Sequence, residues 1–257
     1  MSDPQLGLAP GDFAWIAANS GLNQPESPLI VPSWTISKGK MAFDLPIAAP
    51  ARFSWRRSPS LAPVSNQGKN ATCVAHATCR MIETRVRQSG TPLSLSAECA
   101  HKCVYGYPCS WPASEVSSLL DALRAHGAPQ APGFLANDAC PSKAAMALIP
   151  VPRFKRAETV AQVKAQIAFS GPVLGILTLG LDFESLASPF VYGGAPGDGT
   201  DFNHAVMFIG YDDSDQGGMW QCQNSFGSGW GDEGCFLIPY AAADLLGDDL
   251  HAAYYLV

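Results

Sequence analysis

Gln223-Asn224-Ser225-Phe226-Gly227-Ser228-Gly229-Trp230-Gly231 follows a short apolar run, Met219–Cys222, and reads as the end of a strand and the tight turn after it. The asparagine offers an amide oxygen at the strand end, and the glycines permit a close backbone return walled by Phe226 and Trp230. Upstream, Asn203-His204-Ala205-Val206-Met207-Phe208-Ile209-Gly210-Tyr211 reads as another strand, His204–Tyr211, with a histidine at its mouth. If the two strands are neighbours, Asn224 Oδ1 reaches one imidazole nitrogen and leaves the other facing away. An imidazole oriented by a third group is a general base that needs a nucleophile.

Cys73 supplies one. From Cys73 to Gln88, Val74, Ala77, Thr78, Met81, Ile82 and Val86 recur at helical spacing, with Arg80, Glu83 and Arg87 on the other face and Gly90 as a stop. Cys73 therefore opens a helix, where the positive end of the helix dipole favours a thiolate. A lone cysteine in a helix is more often an inert core residue. The presence of His204 and Asn224 favours the catalytic reading.

A second helix fits Ser114–His126, with Ser114 as N-cap, Val116, Leu119, Leu120 and Leu123 as the buried stripe, and Gly127 as terminator. A third fits Val160–Phe169 after Thr159, and strands fit Val173–Leu179, Met219–Asn224, Cys235–Pro239 and Ala252–Val257. Helices first and strands afterwards predict an α+β protein of two lobes with a crevice between them. Residues 1–47, rich in proline and without a sustained period, read as a separate extension that lies over the surface of the folded body instead of building its core. Residues 48–155 are expected to form the helical lobe carrying the nucleophile, and 156–257 the β-rich lobe carrying His and Asn.

The 24 glycines and 21 prolines favour a loop-rich body over a helical bundle. A net charge of −6 without a basic run argues against nucleic acid or an anionic membrane as partner. The longest apolar stretch, around Pro172–Leu181, is too short to span a bilayer. The N-terminus lacks the charged and apolar regions of a secretory signal. That points to the cytoplasm or a route that does not read such a signal, and leaves the compartment open. Eight cysteines without a repeated C-x-x-C pair leave at least one more unpaired if Cys73 is free. Cys99, His101, Cys103 and Cys109 are spaced too irregularly for a zinc site, so disulfides or free thiols are expected there. Whether Cys222 and Cys235 face each other stays open. His76 reads as a packed or capping histidine, and Asp201, Asp212, Asp213 and Asp215 as a solvated acidic turn.

Taken together, Pro63-Val64-Ser65-Asn66-Gln67-Gly68 before Cys73, then His204, then Asn224–Gly231, resemble the three signature blocks of the papain-like cysteine peptidases (the C1 type). That family's signature expects His and Asn about 130–150 residues after the cysteine, the interval at which His204 and Asn224 stand. The resemblance covers about Pro46 to Val257 and leaves residues 1–47 in the place of a propeptide, which implies a short pro-segment or a cover over the cleft. It implies a helical left lobe, an antiparallel β-barrel-like right lobe and an active-site cleft between them. It implies a Cys73/His204/Asn224 triad with Gln67 donating to the oxyanion hole. It further implies substrate contacts from Asn203, Phe226, Trp230 and Trp111, and specificity contributions from Glu184 and the 188–194 loop. Phe53-Ser54-Trp55-Arg56 looks like the start of the mature enzyme, and Leu95-Ser96 with Glu98 and Cys103 resembles a further family stretch.

The sequence also departs from the family. Asn70 stands where a cysteine is usual, Val74 replaces the aromatic after the nucleophile, and Phe226 replaces a tryptophan that shields the Asn–His hydrogen bond. Pro108-Cys109-Ser110-Trp111-Pro112-Ala113 takes the place of a Gly-Gly pair that admits substrate backbone. The expected activity is hydrolysis of peptide bonds through a thioester, on a polypeptide substrate, by a monomer, with no metal or organic cofactor. The altered Gly-Gly segment motivates an alternative, an acyltransferase or amide-ligating enzyme of the same fold. A catalytically silent binding module is the third reading.

Overall fold

The computed structural model describes residues 49–105, 116–130, 147–195, 197, 199–214, 217–246 and 252–257. In chain order the helices are α1 (Cys73–Arg87), α2 (Ala97–Tyr105), α3 (Val116–His126) and α4 (Val160–Phe169). The strands are β1 (Arg52–Ser54), β2 (Ala128–Gln130), β3 (Ala147–Ile149), β4 (Phe154–Arg156), β5 (Val173–Leu179), β6 (Phe202–Asp212), β7 (Met219–Gln223), β8 (Cys235–Pro239) and β9 (Ala253–Leu256). A 3₁₀ turn, Leu181–Ser185, follows β5.

Among the described residues, six strands run β4-β9-β5-β6-β7-β8 across one antiparallel sheet, and β1 adds to β6. β2 and β3 form a separate hairpin. The sheet divides two apolar cores. Leu174, Ile176, Ala205, Met207 and Ile209 face the helical side, where they meet Val74, Ala77, Met81 and Ile82 of α1. The alternate residues, Val173, Leu177, Leu179, Val206 and Phe208, face the other side with Val163 and Ile167 of α4 and the large side chains Trp220 and Phe236. Burial on both faces explains why β6 reads as a continuous apolar run instead of an alternating one. Each such side chain contributes roughly 1.5–3 kcal/mol when removed from water. Gly210 lies where β1 crosses β6; a Cβ there would stand 2.6 Å from the Phe53 carbonyl oxygen, so only glycine allows the crossing.

The sequence-based helices over Cys73–Gln88 and Val160–Phe169 correspond to α1 and α4. Thr159 caps α4 through a bond from Gln162 N at 3.1 Å. The helix expected from Ser114 is described from Val116, so its cap lies outside the described residues. Three differences have physical causes. β6 begins at Phe202, because Phe202 and Asn203 pair with Leu179 and Thr178; His204 thus sits within the strand rather than at its mouth. α2 carries small apolar residues beside Glu98, His101 and Lys102, and so lacks the bulky stripe that marks a helix. Asp212 is buried rather than solvated, since it ends β6 and accepts from Ser214 N at 2.8 Å and Ser214 Oγ at 2.5 Å.

The thiols are also resolved in part. Cys222 lies opposite Phe236 and Cys235 opposite Gln223, so the two cysteines point to opposite sheet faces and both are free. Cys99 is disulfide-bonded. Among the described residues, no helix is long and apolar enough to cross a membrane, and no group of His, Cys, Asp and Glu is arranged to hold a metal.

Candidate active site

Cys73 is the first residue of α1, delivered by a tight loop. Asn70 N donates to Gln67 O at 3.2 Å and Thr72 N to Asn70 O at 2.9 Å, and Thr72 itself is non-helical. Cys73 is half-buried at the positive end of the helix while the rest of that turn is buried. His204 comes from β6 and Asn224 from the residue after β7, so strand pairing brings them side by side. His204 Nε2 is 2.8 Å from Asn224 Oδ1. The same oxygen accepts from Ser225 N at 2.7 Å, which fixes the orientation of the amide and makes Nε2 the donor. The Cys73 thiol lies within electrostatic reach of the same imidazole. With Nε2 engaged, Nδ1 is the nitrogen available to sulfur.

Each member of the pair shifts the other. Burial pushes the Cys73 thiol up, but the hydrogen bond and charge of His204, with the backbone N–H groups of Ala205 and Val74, hold it below its ordinary value. Burial likewise opposes the His204 imidazolium. The hydrogen bond and charge of Cys73, the bond to Asn224 and the charge of Glu184 outweigh it, so the imidazole is raised. A lowered thiol beside a raised imidazole is the electrostatic signature of a thiolate–imidazolium pair.

Gln67 lies beside this pair because the segment before α1 runs antiparallel to the turn after β7. Gln67 N donates to Ser225 O at 2.8 Å and Gly227 N to Ser65 O at 2.9 Å, with Asn66 bridged to Phe226. Ser225 Oγ donates to Gln67 Oε1 at 2.5 Å, and Gln67 Nε2 donates to Asn70 O at 2.8 Å. The carboxamide is held at both ends and keeps one N–H uncommitted by these bonds. Gly231 closes the turn with φ of 59°; a Cβ there would meet the Cys235 carbonyl oxygen at 2.6 Å.

Aromatic rings wall the histidine. The Phe226 ring lies 5.1 Å from that of His204, tilted by 42°. Trp230 Nε1 donates to Glu184 O at 2.9 Å and its ring lies 4.9 Å from Phe183. Asn203 is exposed beside His204 and its Oδ1 accepts from Thr178 Oγ at 3.2 Å. Trp111 and the rest of the 108–113 segment lie outside the described residues. Sequence reasoning missed Phe183, an aromatic in a short acidic turn that carries no pattern. It also missed the bridging of Ser225, although that residue sits inside the quoted block.

The comparisons with known proteins bear on the family and the fold. The profile of the papain family cysteine proteases matches residues 49–247. The chain is 26% identical to ananain of Ananas comosus over 192 residues, covering 73% of this chain and 55% of ananain. It is 25% identical to cathepsin K of Gallus gallus over 234 residues, covering 84% of this chain and 63% of the relative. It thus spans little more than half the length of these relatives. Two solved structures share the fold. The digestive procathepsin L2 of Tenebrio molitor has a TM-score of 0.64 at 22% identity, covering 82% of this chain and 69% of that one. The bromelain protease of Ananas comosus, in complex with the E64 inhibitor, has a TM-score of 0.64 at 19% identity, covering 81% and 99%. The matched profile spans most of the chain, the two lobes and their sheet recur in solved relatives, and this chain belongs to the papain family of cysteine proteases.

Proposed function

We propose that the protein is an active cysteine peptidase that hydrolyses peptide bonds through a thioester on Cys73. The observation that carries the reading is the 2.8 Å bond between His204 Nε2 and Asn224 Oδ1, with the same imidazole acting on the Cys73 thiol at the start of α1. In this reading the thiolate attacks the scissile carbonyl, and Gln67 Nε2 with the Cys73 backbone N–H stabilises the oxyanion. The His204 imidazolium protonates the leaving amine, and the neutral imidazole then activates water for deacylation. Asn224 holds the ring, and Phe226 keeps water from its hydrogen bond. Asn203 and Trp230 line the groove on the histidine side, and Trp111 is assigned to the substrate on the opposite side.

The same reading assigns residues 48–155 to the nucleophile lobe, 156–257 to the His/Asn lobe, and 1–47 to a cover over the cleft. Cys73→Ala should reduce turnover of a peptide library to background, and an epoxysuccinyl probe should label the unmodified protein at Cys73. Labelling spread evenly over the free thiols would overturn the proposal. Products carrying an added amine in place of hydrolysis products would reassign the second step to acyl transfer. Removal of residues 1–47 should raise activity, and unchanged kinetics would remove the cover from the account.

A further inference from the structure

Behind the active-site pair lies a second buried polar chain that the reaction does not use. His76, one helical turn after Cys73, is buried with Nδ1 2.9 Å from Ser65 Oγ and Nε2 3.0 Å from Glu98 Oε1. In the neutral imidazole, Nε2–H donates to the carboxylate and Nδ1 accepts from the hydroxyl. The groups facing His76 are Glu98 and His101 of α2, Arg80 of its own helix and His204 of β6. The hydroxyl–imidazole–carboxylate order matches that of a serine nucleophile. However, it borders a cavity of about one water in size, too small for a substrate carbonyl.

That cavity is lined by the polar residues Ser65, His76, Arg80, Gln223, Asn224 and Ser225 and by the apolar Ala77, Ala205 and Met207. Two of these carry buried side-chain donors without a hydrogen-bond partner, Nδ2 of Asn224 and Nε of Arg80. Asn224 Oδ1 is fixed by His204 and Ser225 N, so its Nδ2 is turned to the other side of the amide. Buried donors are seldom left unpaired, and the two residues that carry these line one water-sized space of mixed polar and apolar walls. His76 also cross-links three segments. α1 carries Cys73, the Ser65–Gln67 stretch carries the oxyanion donor, and α2 supplies Glu98.

We propose that the cavity is a built water site, in which one ordered water accepts from Asn224 Nδ2, and that His76, clamped between Ser65 and Glu98, is the positioning residue that keeps this water and the Asn224–His204 pair in register. The role in turnover rests on the peptidase reading; the water site does not.

The test combines crystallography with kinetics. A crystal structure of the unmodified protein at about 1.5 Å, fine enough to place ordered waters, should show density within hydrogen-bonding distance of Asn224 Nδ2; a dry cavity overturns the site. His76→Phe removes both bonds of the imidazole, and Ser65→Ala removes one with little risk to folding. With active sites titrated, His76→Phe should lower kcat about ten- to a hundredfold with KM little changed, the scale typical of orienting partners. It should also move the alkaline limb of kcat/KM, which belongs to the imidazolium of His204, to lower pH. Ser65→Ala should give a smaller effect in the same direction, and His76→Gln, which keeps a donor to Glu98, should recover most of the loss. A purely structural His76 would lower Tm and the titratable fraction while leaving kcat per site and the limb in place, and that result overturns the positioning role. If the unmodified protein shows neither turnover nor preferential labelling of Cys73, the peptidase reading fails while the density still decides the site.

Discussion

If the proposed function holds, truncation of Gln67 isolates its oxyanion contribution from the rest of the machinery. In Gln67→Ala the sulfur, imidazole and Asn224 keep their own bonds, because among the described residues the Gln67 side chain bonds Asn70 O and Ser225 Oγ and none of those three. The loss of one oxyanion donor lowers kcat by about 10²–10³, or roughly 2.7–4 kcal/mol of transition-state stabilisation. KM should change little, since the donor matters only when charge develops on oxygen. Two former partners lose a bond in the ground state, costing about 1–3 kcal/mol of stability. The assay is hydrolysis of a fluorogenic peptide amide, paired with the rate of Cys73 alkylation by iodoacetamide. Alkylation forms no tetrahedral oxyanion, so it should proceed at close to the original rate. A kcat within about threefold of the unmodified protein, a loss far below that expected for an oxyanion donor, would refute the assignment. So would a parallel collapse of alkylation, which would show that Gln67 acts on the thiolate instead.

The lowered Cys73 thiol predicts that its alkylation persists into mildly acidic pH, whereas an ordinary thiol of pKa about 8.5 loses reactive form tenfold per unit below that value. Burial pushes Cys79 and Cys235 up to about 12 and raises Cys222 as well, so mass spectrometry at low reagent should find these three unmodified; their early labelling contradicts the shifts. The pH–activity profile should be bell-shaped, falling in acid as Cys73 protonates and in alkali as His204 loses its proton, and a single-limbed profile counts against the coupled pair. Phe208, fully buried on β6, should cost about 3–5 kcal/mol when replaced by alanine, read as a lower denaturation midpoint; a loss under 1 kcal/mol would mean that the second core is loosely packed.

The parts of the site that proved legible in the sequence are those whose chemistry is written locally. The glycines of the 227–231 turn, the strand-bound His204 and the helix-opening Cys73 each carry a pattern of composition or period. The elements around them were legible where periodicity was strong, as in α1 and α4, and obscure where it was not. α2 buries alanine and cysteine beside charged groups, so its face has no bulky stripe. β1, β2, β3 and β4 are three residues each, shorter than the alternation needed to reveal a strand. What the sequence could not express is contact across distance. Ser225 to Gln67, Ser65 to His76 and His76 to Glu98 are pairings that only the antiparallel run of 65–67 against 225–227 and the packing of α2 on α1 create.

β6 is paired at His204 with β5 and farther along with β7 and β1, and it is wedged between two cores, so the imidazole rides on an element that should be among the last to open. Amide protons near His204 should exchange with deuterium only through global unfolding, while those of the loop leading to Cys73 exchange through small local fluctuations. Warming would therefore blur the sulfur's position before the histidine's. The protein should fall silent at temperatures where its sheet still gives a native circular-dichroism spectrum, and recover on cooling.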